Sequence, residues 1–201
     1  MPCAANARPP SRCGVRFWVV RADPRRRLQV ALPIPFNSSN FSVYAARYFR
    51  RLGIKAYVAY LFHHDSPYRK PNHLTRVVVS QIKEVLAGKR DKITIHNPSY
   101  RKEWGYAKDI VRGIFTLASQ DNVFEATIGT GVAHTIYDFH KECLEQSGLS
   151  IEANSEFLTL YKDSKIPHLV SDPQTINNLG WQHSTDLASL ARILLSASDQ
   201  I

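Results

Sequence analysis

An α/β fold with a largely parallel sheet is predicted by three features of this 201-residue sequence. Strand-like and helix-like apolar periods alternate along residues 41–195 with short links, the pattern of β-α-β units. Glycines at 53, 88 and 148 stand just past three of the helical periods, where a left-handed residue ends a helix. The most apolar stretch, residues 56–62, breaks abruptly at His63-His64-Asp65-Ser66-Pro67, with Arg69 just beyond. A buried strand that stops at a cluster of ionisable groups marks the ligand edge of an α/β sheet, because strand carboxyl ends face a crevice.

Taken in order, the chain opens with residues 1–35, where prolines at 2, 9, 10, 24 and 33 interrupt any regular period. This segment reads as an irregular, poorly ordered leader. Its short apolar patch, residues 15–20, is too small for a secretory signal core. The arginine bias resembles a transit peptide, but Asp23-Pro24 and the Arg25-Arg26-Arg27 run form no amphipathic helix. Order is expected from residue 36 to 201. Ser38, Ser39 and Asn40 are candidate caps for a helix over 41–52, whose apolar face is Val43, Ala46, Tyr48, Phe49 and Leu52. A strand follows over 54–62.

A second helix over 74–87 presents Leu74, Val77, Val78, Ile82, Val85 and Leu86, and a short strand covers 93–96. A third helix over 107–119 is expected to bury Ile110, Val111, Ile114, Phe115, Leu117 and Ala118. A strand over 123–128 ends in Gly129-Thr130-Gly131, and a fourth helix spans 136–146. A strand-like 157–161 and two short helices, 173–179 and 186–195, complete the chain.

The formal charge of +9 suggests nucleic acid until it is located. Residues 1–40 hold seven arginines and one acid, so +6 of it lies there, and the folded part is only mildly basic. Specific nucleic-acid binding is therefore not expected. The longest apolar run is strand-sized, far short of a membrane span. Cys3, Cys13 and Cys143 make neither a disulfide framework nor a zinc pattern, so a reducing cytoplasm is the expected location. His63-His64-Asp65 with His73 does not read as a metal cluster, since adjacent histidines at a strand end point to opposite faces and no other ligand is spaced to join them. Asp138, His140 and Cys143 share one helix at spacings routine for neighbours, and nothing marks a nucleophile. Glu103 and Glu125 imitate an acid/base pair, but Glu125 alternates within its strand and reads as an exposed face.

At His64-Asp65-Ser66-Pro67 and Arg101-Lys102-Glu103-Trp104-Gly105-Tyr106-Ala107-Lys108-Asp109 the sequence resembles GDP-mannose 4,6-dehydratases and related nucleotide-sugar epimerases and dehydratases, the extended short-chain dehydrogenase/reductases. Leu74-Thr75-Arg76, Ile128-Gly129-Thr130-Gly131, Asp172-Pro173 and Leu179-Gly180-Trp181 agree in order and spacing. The resemblance covers about residues 41–195 and corresponds to the C-terminal half of such an enzyme. It implies part of a Rossmann-type sheet plus the smaller substrate-binding subdomain. It also implies an oligomeric assembly and NADP as cofactor, with NAD the alternative. By resemblance, His64 and Arg69 contact the nicotinamide cofactor, while Arg101 and Lys102 pair with the diphosphate of a nucleotide sugar. His63 replaces a family Asn near the sugar, and Thr75 and Arg76 fit the nucleotide-facing helix start. Val77 stands where a basic residue often follows.

Two family features are missing from this sequence. None of its glycines, at 14, 53, 88, 105, 113, 129, 131, 148 and 180, forms the glycine-rich turn that holds the dinucleotide phosphates. The Tyr-x-x-x-Lys pair, which relays the proton of the hydroxyl being oxidised, is also absent: Tyr44 is followed four residues on by Tyr48. The expectation is a family member without activity in isolation. The alternatives are a catalytically empty binding or interaction remnant, or a relative of the NAD-dependent nucleotide-sugar 4-epimerases.

Overall fold

A computed structural model of the chain describes residues 16–23, 26–34, 39–158 and 170–197. The elements in order are β1 (Arg16–Asp23), β2 (Arg26–Ile34), α1 (Ser39–Arg51), β3 (Ala56–Leu61), β4 (His64–Asp65), α2 (Leu74–Leu86) and β5 (Ile93–His96). They continue with β6 (Arg101–Glu103), β7 (Gly105–Tyr106), α3 (Ala107–Ala118), β8 (Glu125–Ile128), β9 (Ala133–Thr135), α4 (Ile136–Gln146) and α5 (Ile151–Asn154). The last three are β10 (Ser155–Leu158), α6 (Gln174–Asn178) and α7 (Leu187–Ser196).

Strand β3 is apolar on both faces because both are covered. Tyr57, Ala59 and Leu61 point into a core shared with α3, β8 and α6, while Ala56 and Val58 point the other way, toward Ala46 of α1. Side chains alternate across a strand, so a continuous apolar run is what a doubly covered strand requires. Its neighbour β8 runs parallel, with Val58 opposite Glu125 and Leu61 opposite Ile128.

A second core lies under the carboxyl-terminal half. There Val78, Val79 and Ile82 of α2 meet Ile93 and Ile95 of β5, Phe139, Cys143 and Leu144 of α4, and Leu190 and Leu194 of α7. Strand β5 does not join the main sheet but pairs in parallel with β10, from Ile93–Ser155 to His96–Leu158. Strand character is visible in the sequence; the choice of partner belongs to the packing of the helices around it.

The largest departure lies in the expected leader. Residues 16–23 and 26–34 are two antiparallel-paired strands, and β1 pairs antiparallel with β3 from Arg16–Leu61 to Arg21–Ala56. The main sheet is therefore mixed, in the order β2-β1-β3-β8. Exposed N–H and C=O groups on an edge of β3 attract any chain with extended character, and the sequence 15–20 has it despite the flanking prolines. Residues 1–15, the candidate cap Ser38 and the expected strand end at 159–161 lie outside the described residues.

Some expected core positions are on the surface. Val111 and Phe115 of α3 are exposed, as are Tyr48 and Phe49 on α1, Leu52 just after it and Leu86 on α2. Each flanks an apolar stripe, and a single helix can bury only one face against its sheet. Glu125 is corrected in the opposite sense. Its carboxylate is half-buried and receives the Arg47 guanidinium at 3.0 and 2.9 Å, Arg50, and the Tyr60 hydroxyl at 2.9 Å. The Arg47 hydrogen bond, reinforced by Arg50 and Tyr60, outweighs partial burial and holds the acid down at about 2. Glu125 is the bolt between α1 and the sheet.

The helix bearing Asp138, His140 and Cys143 carries no nucleophile. Asp138 and Thr135 form a reciprocal capping box at its N-terminus. Cys143 is fully buried, and burial pushes its thiol up. His140 is also buried, with Nδ1–H donating to the Ile136 carbonyl at 2.8 Å, and burial lowers its imidazole to about 4. The unfolded imidazole protonates near 6.5, so acid favours the unfolded chain. Stability from neutral His140 is complete above about pH 6.5 and is lost as the pH falls toward about 4. Urea midpoints measured across that window are expected to fall, and His140→Phe is expected to flatten the fall. An equal slope in the variant would assign the acid sensitivity to other groups. No helix among the described residues is long and apolar enough to cross a membrane.

Candidate active-site wall

The carboxyl end of β3 meets three short elements. After Leu61 the chain turns and forms β4, which pairs in parallel with β7, His64 opposite Gly105 and Asp65 opposite Tyr106. Gly105 is required by this approach, since a Cβ there would lie 3.3 Å from the His63 carbonyl oxygen and 3.4 Å from His64 Cβ. Strand β6 reaches the same place and pairs antiparallel with β9, Arg101 opposite Thr135 and Glu103 opposite Ala133. The loop motif and the Trp-Gly motif thus form one surface.

On this surface His63 is the hub. Its Nδ1 lies 2.9 Å from the Glu103 carbonyl oxygen, which can only accept, so Nδ1 carries the proton. Its Nε2 is then the acceptor, 3.2 Å from Lys102 Nζ. Burial first, then the Lys102 charge and those of His64 and His73, keep this imidazole neutral well below its ordinary range. Lys102 also sits over the Trp104 ring, 4.1 Å from its centroid. Trp104 is buried, stacks on Phe139 at 4.3 Å and 10°, and donates its indole N–H to the His134 carbonyl at 3.2 Å. It is the stiff plate against which the wall is built.

Asp65 is fully buried beside the hub. Its Oδ1 accepts from the Ser66 N–H at 3.1 Å and the Thr75 hydroxyl at 2.9 Å, and Arg69 Nε stands 3.5 Å away. Arg69 also donates to the His64 carbonyl at 2.5 Å. The two residues expected at the cofactor, His64 and Arg69, are therefore adjacent. The His64 ring turns the other way, with Nδ1 2.8 Å from the Phe62 carbonyl oxygen.

Thr75 departs from the expected nucleotide contact: it is fully buried and its hydroxyl is committed to Asp65. Its geometry is that of a positioning residue. Arg76, next on α2, is half-buried. Arg101 is exposed and donates to the Ala133 carbonyl at 2.9 Å. Glu103 lies far from any role with Glu125. Buried at the end of β6, it accepts from the Thr130 N–H at 2.7 Å and from the Ser171 N–H.

Asp65, Glu103 and His73 carry this arrangement; the sequence reading weighed Asp65 and His73 as members of a metal cluster and Glu103 as half of an acid/base pair, and set both aside. The signal for Asp65 was its position as the sole acid in the loop. His73 lies eight residues beyond Asp65 in sequence, yet the turn before α2 brings its Nδ1 to 3.5 Å from Asp65 Oδ2. The expectation that nothing joins the histidines is thus corrected. His63 and His64 do diverge, but Asp65 and His73 converge on His63.

A cleft of about 560 Å³ that Trp104 helps to line carries Asp138, Glu142, Glu145 and Asp186 against Lys141, His134 and His183. Its excess of carboxylates suits a diphosphate poorly, whereas Arg101 and Lys102 suit one well.

A model of the GDP-mannose 4,6 dehydratase family matches residues 41–194, which include every element from β3 to the body of α7. The chain belongs to the GDP-mannose 4,6-dehydratase family. Among curated relatives, GDP-mannose 4,6-dehydratase of Sinorhizobium fredii is 24% identical over 178 residues, covering 78% of this chain and 51% of that protein. Among solved structures, RMD from Pseudomonas aeruginosa complexed with NADPH superposes with a TM-score of 0.70 at 14% identity, covering 82% of this chain and 57% of the other. dTDP-glucose 4,6-dehydratase from Bacillus anthracis, in complex with NAD, gives a TM-score of 0.63 at 17% identity over 82% and 52% of the two chains. At these identities the structures show the fold. The chain spans about half the length, or less, of the curated relatives it matches.

A nicotinamide dinucleotide needs more than this wall provides. The sequence has no glycine-rich phosphate turn, and the guanidinium of Arg69, expected with His64 at the cofactor, is engaged by Asp65 and the His64 carbonyl. The described residues do not make a full dinucleotide cradle, and no hydride step is assigned to them.

Proposed function

We propose that this chain carries the sugar-nucleotide side of a 4,6-dehydratase site and binds a GDP-mannose-like nucleotide sugar without converting it by itself. The observation that supports this reading is the adjacent pair of cations on β6, Arg101 and Lys102, set beside the polar end of β3 with Lys102 against His63. The two follow one another on β6 and so point to opposite sides of the strand; Lys102, on the His63 side, is the point charge for the diphosphate, and Arg101 adds positive charge from the other side. His63 offers an imidazole to the sugar, Arg76 lies at the nucleotide-facing helix start, and Thr75 acts through Asp65. His64 and Arg69 form the edge facing a nicotinamide dinucleotide, NADP by family resemblance.

In the family reaction, water is removed from a hexose by transient oxidation at C4, elimination across C5–C6 and reduction at C6. The proton at the C4 hydroxyl needs a phenol lowered by a lysine, and no Tyr-x-x-x-Lys pair is present in this sequence. The half-length match to relatives agrees with a chain that is one part of a working enzyme.

Calorimetry on folded chain is the test. GDP-mannose is expected to bind, more tightly than UDP-glucose or dTDP-glucose, and Arg101→Ala with Lys102→Met to weaken it by about tenfold or more, the value of one charge-assisted hydrogen bond. With NADP added, no 4-keto sugar is expected. Turnover would overturn the inactive reading; no binding by demonstrably folded chain would overturn the substrate wall.

A further inference from the structure

We propose that His63, Asp65 and His73 form a three-ligand site for a divalent transition ion of the zinc class. His63 Nε2, Asp65 Oδ2 and His73 Nδ1 all lie within 4.8 Å of one another. Two of the separations are 3.9 Å, from His63 to Asp65, and 3.5 Å, from His73 to Asp65. Ligands bound to zinc at about 2.0–2.1 Å in a tetrahedron stand about 3.3–3.5 Å apart, so small side-chain rotations close the site. Two imidazoles and a carboxylate are also the donor set that zinc-class ions take.

Asp65 supplies the independent observation. It is fully buried, its Oδ1 is satisfied, and its Oδ2 makes no hydrogen bond while facing the two imidazoles. A buried carboxylate oxygen left this way costs stability, and ion coordination would satisfy it.

Each ligand is held from behind. The Glu103 carbonyl fixes the His63 tautomer and leaves Nε2 as the unprotonated nitrogen, 3.9 Å from Asp65 Oδ2, as outer partners of metal-bound histidines do. Thr75 gives its hydroxyl proton to Asp65 Oδ1, so its oxygen accepts from His73 Nδ1–H at 3.2 Å. Ion binding takes the place of that Nδ1 proton, which moves to Nε2 through solvent; His73 is partly exposed and allows it. The two rings are already nearly parallel, 20° apart with centroids at 6.1 Å.

Two cations oppose the ion. Arg69 sits on the Oδ1 side of Asp65, away from the open oxygen. Lys102 is the direct competitor, since its ammonium occupies the His63 Nε2 lone pair. A swing toward the Trp104 face, over which it already lies, frees that position. Lysine and ion are thus alternatives at one nitrogen, and the fourth coordination position opens where Lys102 leaves. This site does not rest on nucleotide-sugar binding, and either can fail alone.

The full chain is titrated with Co²⁺, followed by its visible absorption, and with Zn²⁺ by calorimetry. One ion per chain is expected, with the intense bands of a four- or five-coordinate cobalt site. His73→Gln and the shape-conserving Asp65→Asn, each shown to be folded by circular dichroism, are expected to weaken binding by at least about tenfold, on the scale of losses at such sites. Lys102→Gln is expected to tighten it, and His64→Gln to leave it unchanged. Absence of stoichiometric binding by folded chain would overturn the site. So would full affinity in both His73→Gln and Asp65→Asn, which would place the ion on other histidines.

Discussion

Glu103→Ala is expected to destabilise the fold by about 2–4 kcal/mol, because it leaves the buried Ser171 N–H and the partly buried Thr130 N–H without their acceptor. The carboxylate is 1% exposed, so water cannot take its place without opening the structure. The damage reaches beyond two hydrogen bonds. Glu103 ties the turn after β8 and the segment before α6 to the end of β6, and its own backbone carbonyl orients His63. Gly129 packs against the same carboxylate so closely that an added Cβ would collide with it and with Ser171. Glu103→Gln keeps one acceptor oxygen and is expected to lose roughly half as much. Urea unfolding followed by circular dichroism measures both, and a loss under about 1 kcal/mol for the alanine variant would mean that the two N–H groups find other partners.

Asp109→Ala is the second large effect, with an expected loss of about 2–4 kcal/mol. Asp109 stands in the first turn of α3 and accepts from the Ser184 N–H at 3.1 Å, the Thr185 N–H at 2.9 Å and the Ser184 hydroxyl at 3.1 Å. Arg112 donates to it at 2.6 Å from the next turn. Burial alone would raise this carboxyl, but the hydrogen bonds from Thr185 and Ser184 outweigh burial and hold it below its ordinary value. A depressed carboxylate contributes stability that is present above the unfolded value near 3.8 and lost as the pH falls through the folded one. The wild-type chain should therefore lose its advantage over Asp109→Ala on acidification below about pH 4, which thermal melts at pH 7 and pH 3 will register. Equal melting differences at both values would contradict the ionised role.

These two residues explain why distant motifs recur together in the sequence. The Trp-Gly and late Leu-Gly-Trp segments are far apart in the chain, yet Trp181 donates its indole N–H to the carbonyl of Asp109, 72 residues earlier, at 2.9 Å. Gly113 admits the Trp181 ring, since a Cβ there would come within 3.1 Å of it. The late motif is a scaffold that clamps α3. Spacing could show that it belongs with the others, but its physical task became visible only when the two segments met.

Within the wall, the same division holds. His63, His64, Arg69, Arg101 and Lys102 were legible because ionisable groups at the end of an apolar strand are rare and patterned. Thr75 was legible as a position, while its burial depends on Asp65, ten residues earlier. His73 was visible as a possible cluster member and set aside, because whether a loop histidine meets a carboxylate depends on how the chain turns before α2.

From sequence alone came the order of the longer strands and helices from residue 41 onward, the apolar stripes, the helix stops and the family, but not the short β4, β6, β7, β9 and α5. These follow from local periodicity and glycine geometry, which a linear text records. Tertiary structure decided that residues 16–23 and 26–34 add two strands beside β3, that β5 pairs with β10, that Glu125 bolts α1 to the sheet, and that Asp65 draws two histidines together. Each of these is a contact between segments far apart in the chain. Its free energy comes from burial and hydrogen-bond satisfaction shared by both partners, and neither partner's sequence carries that information by itself.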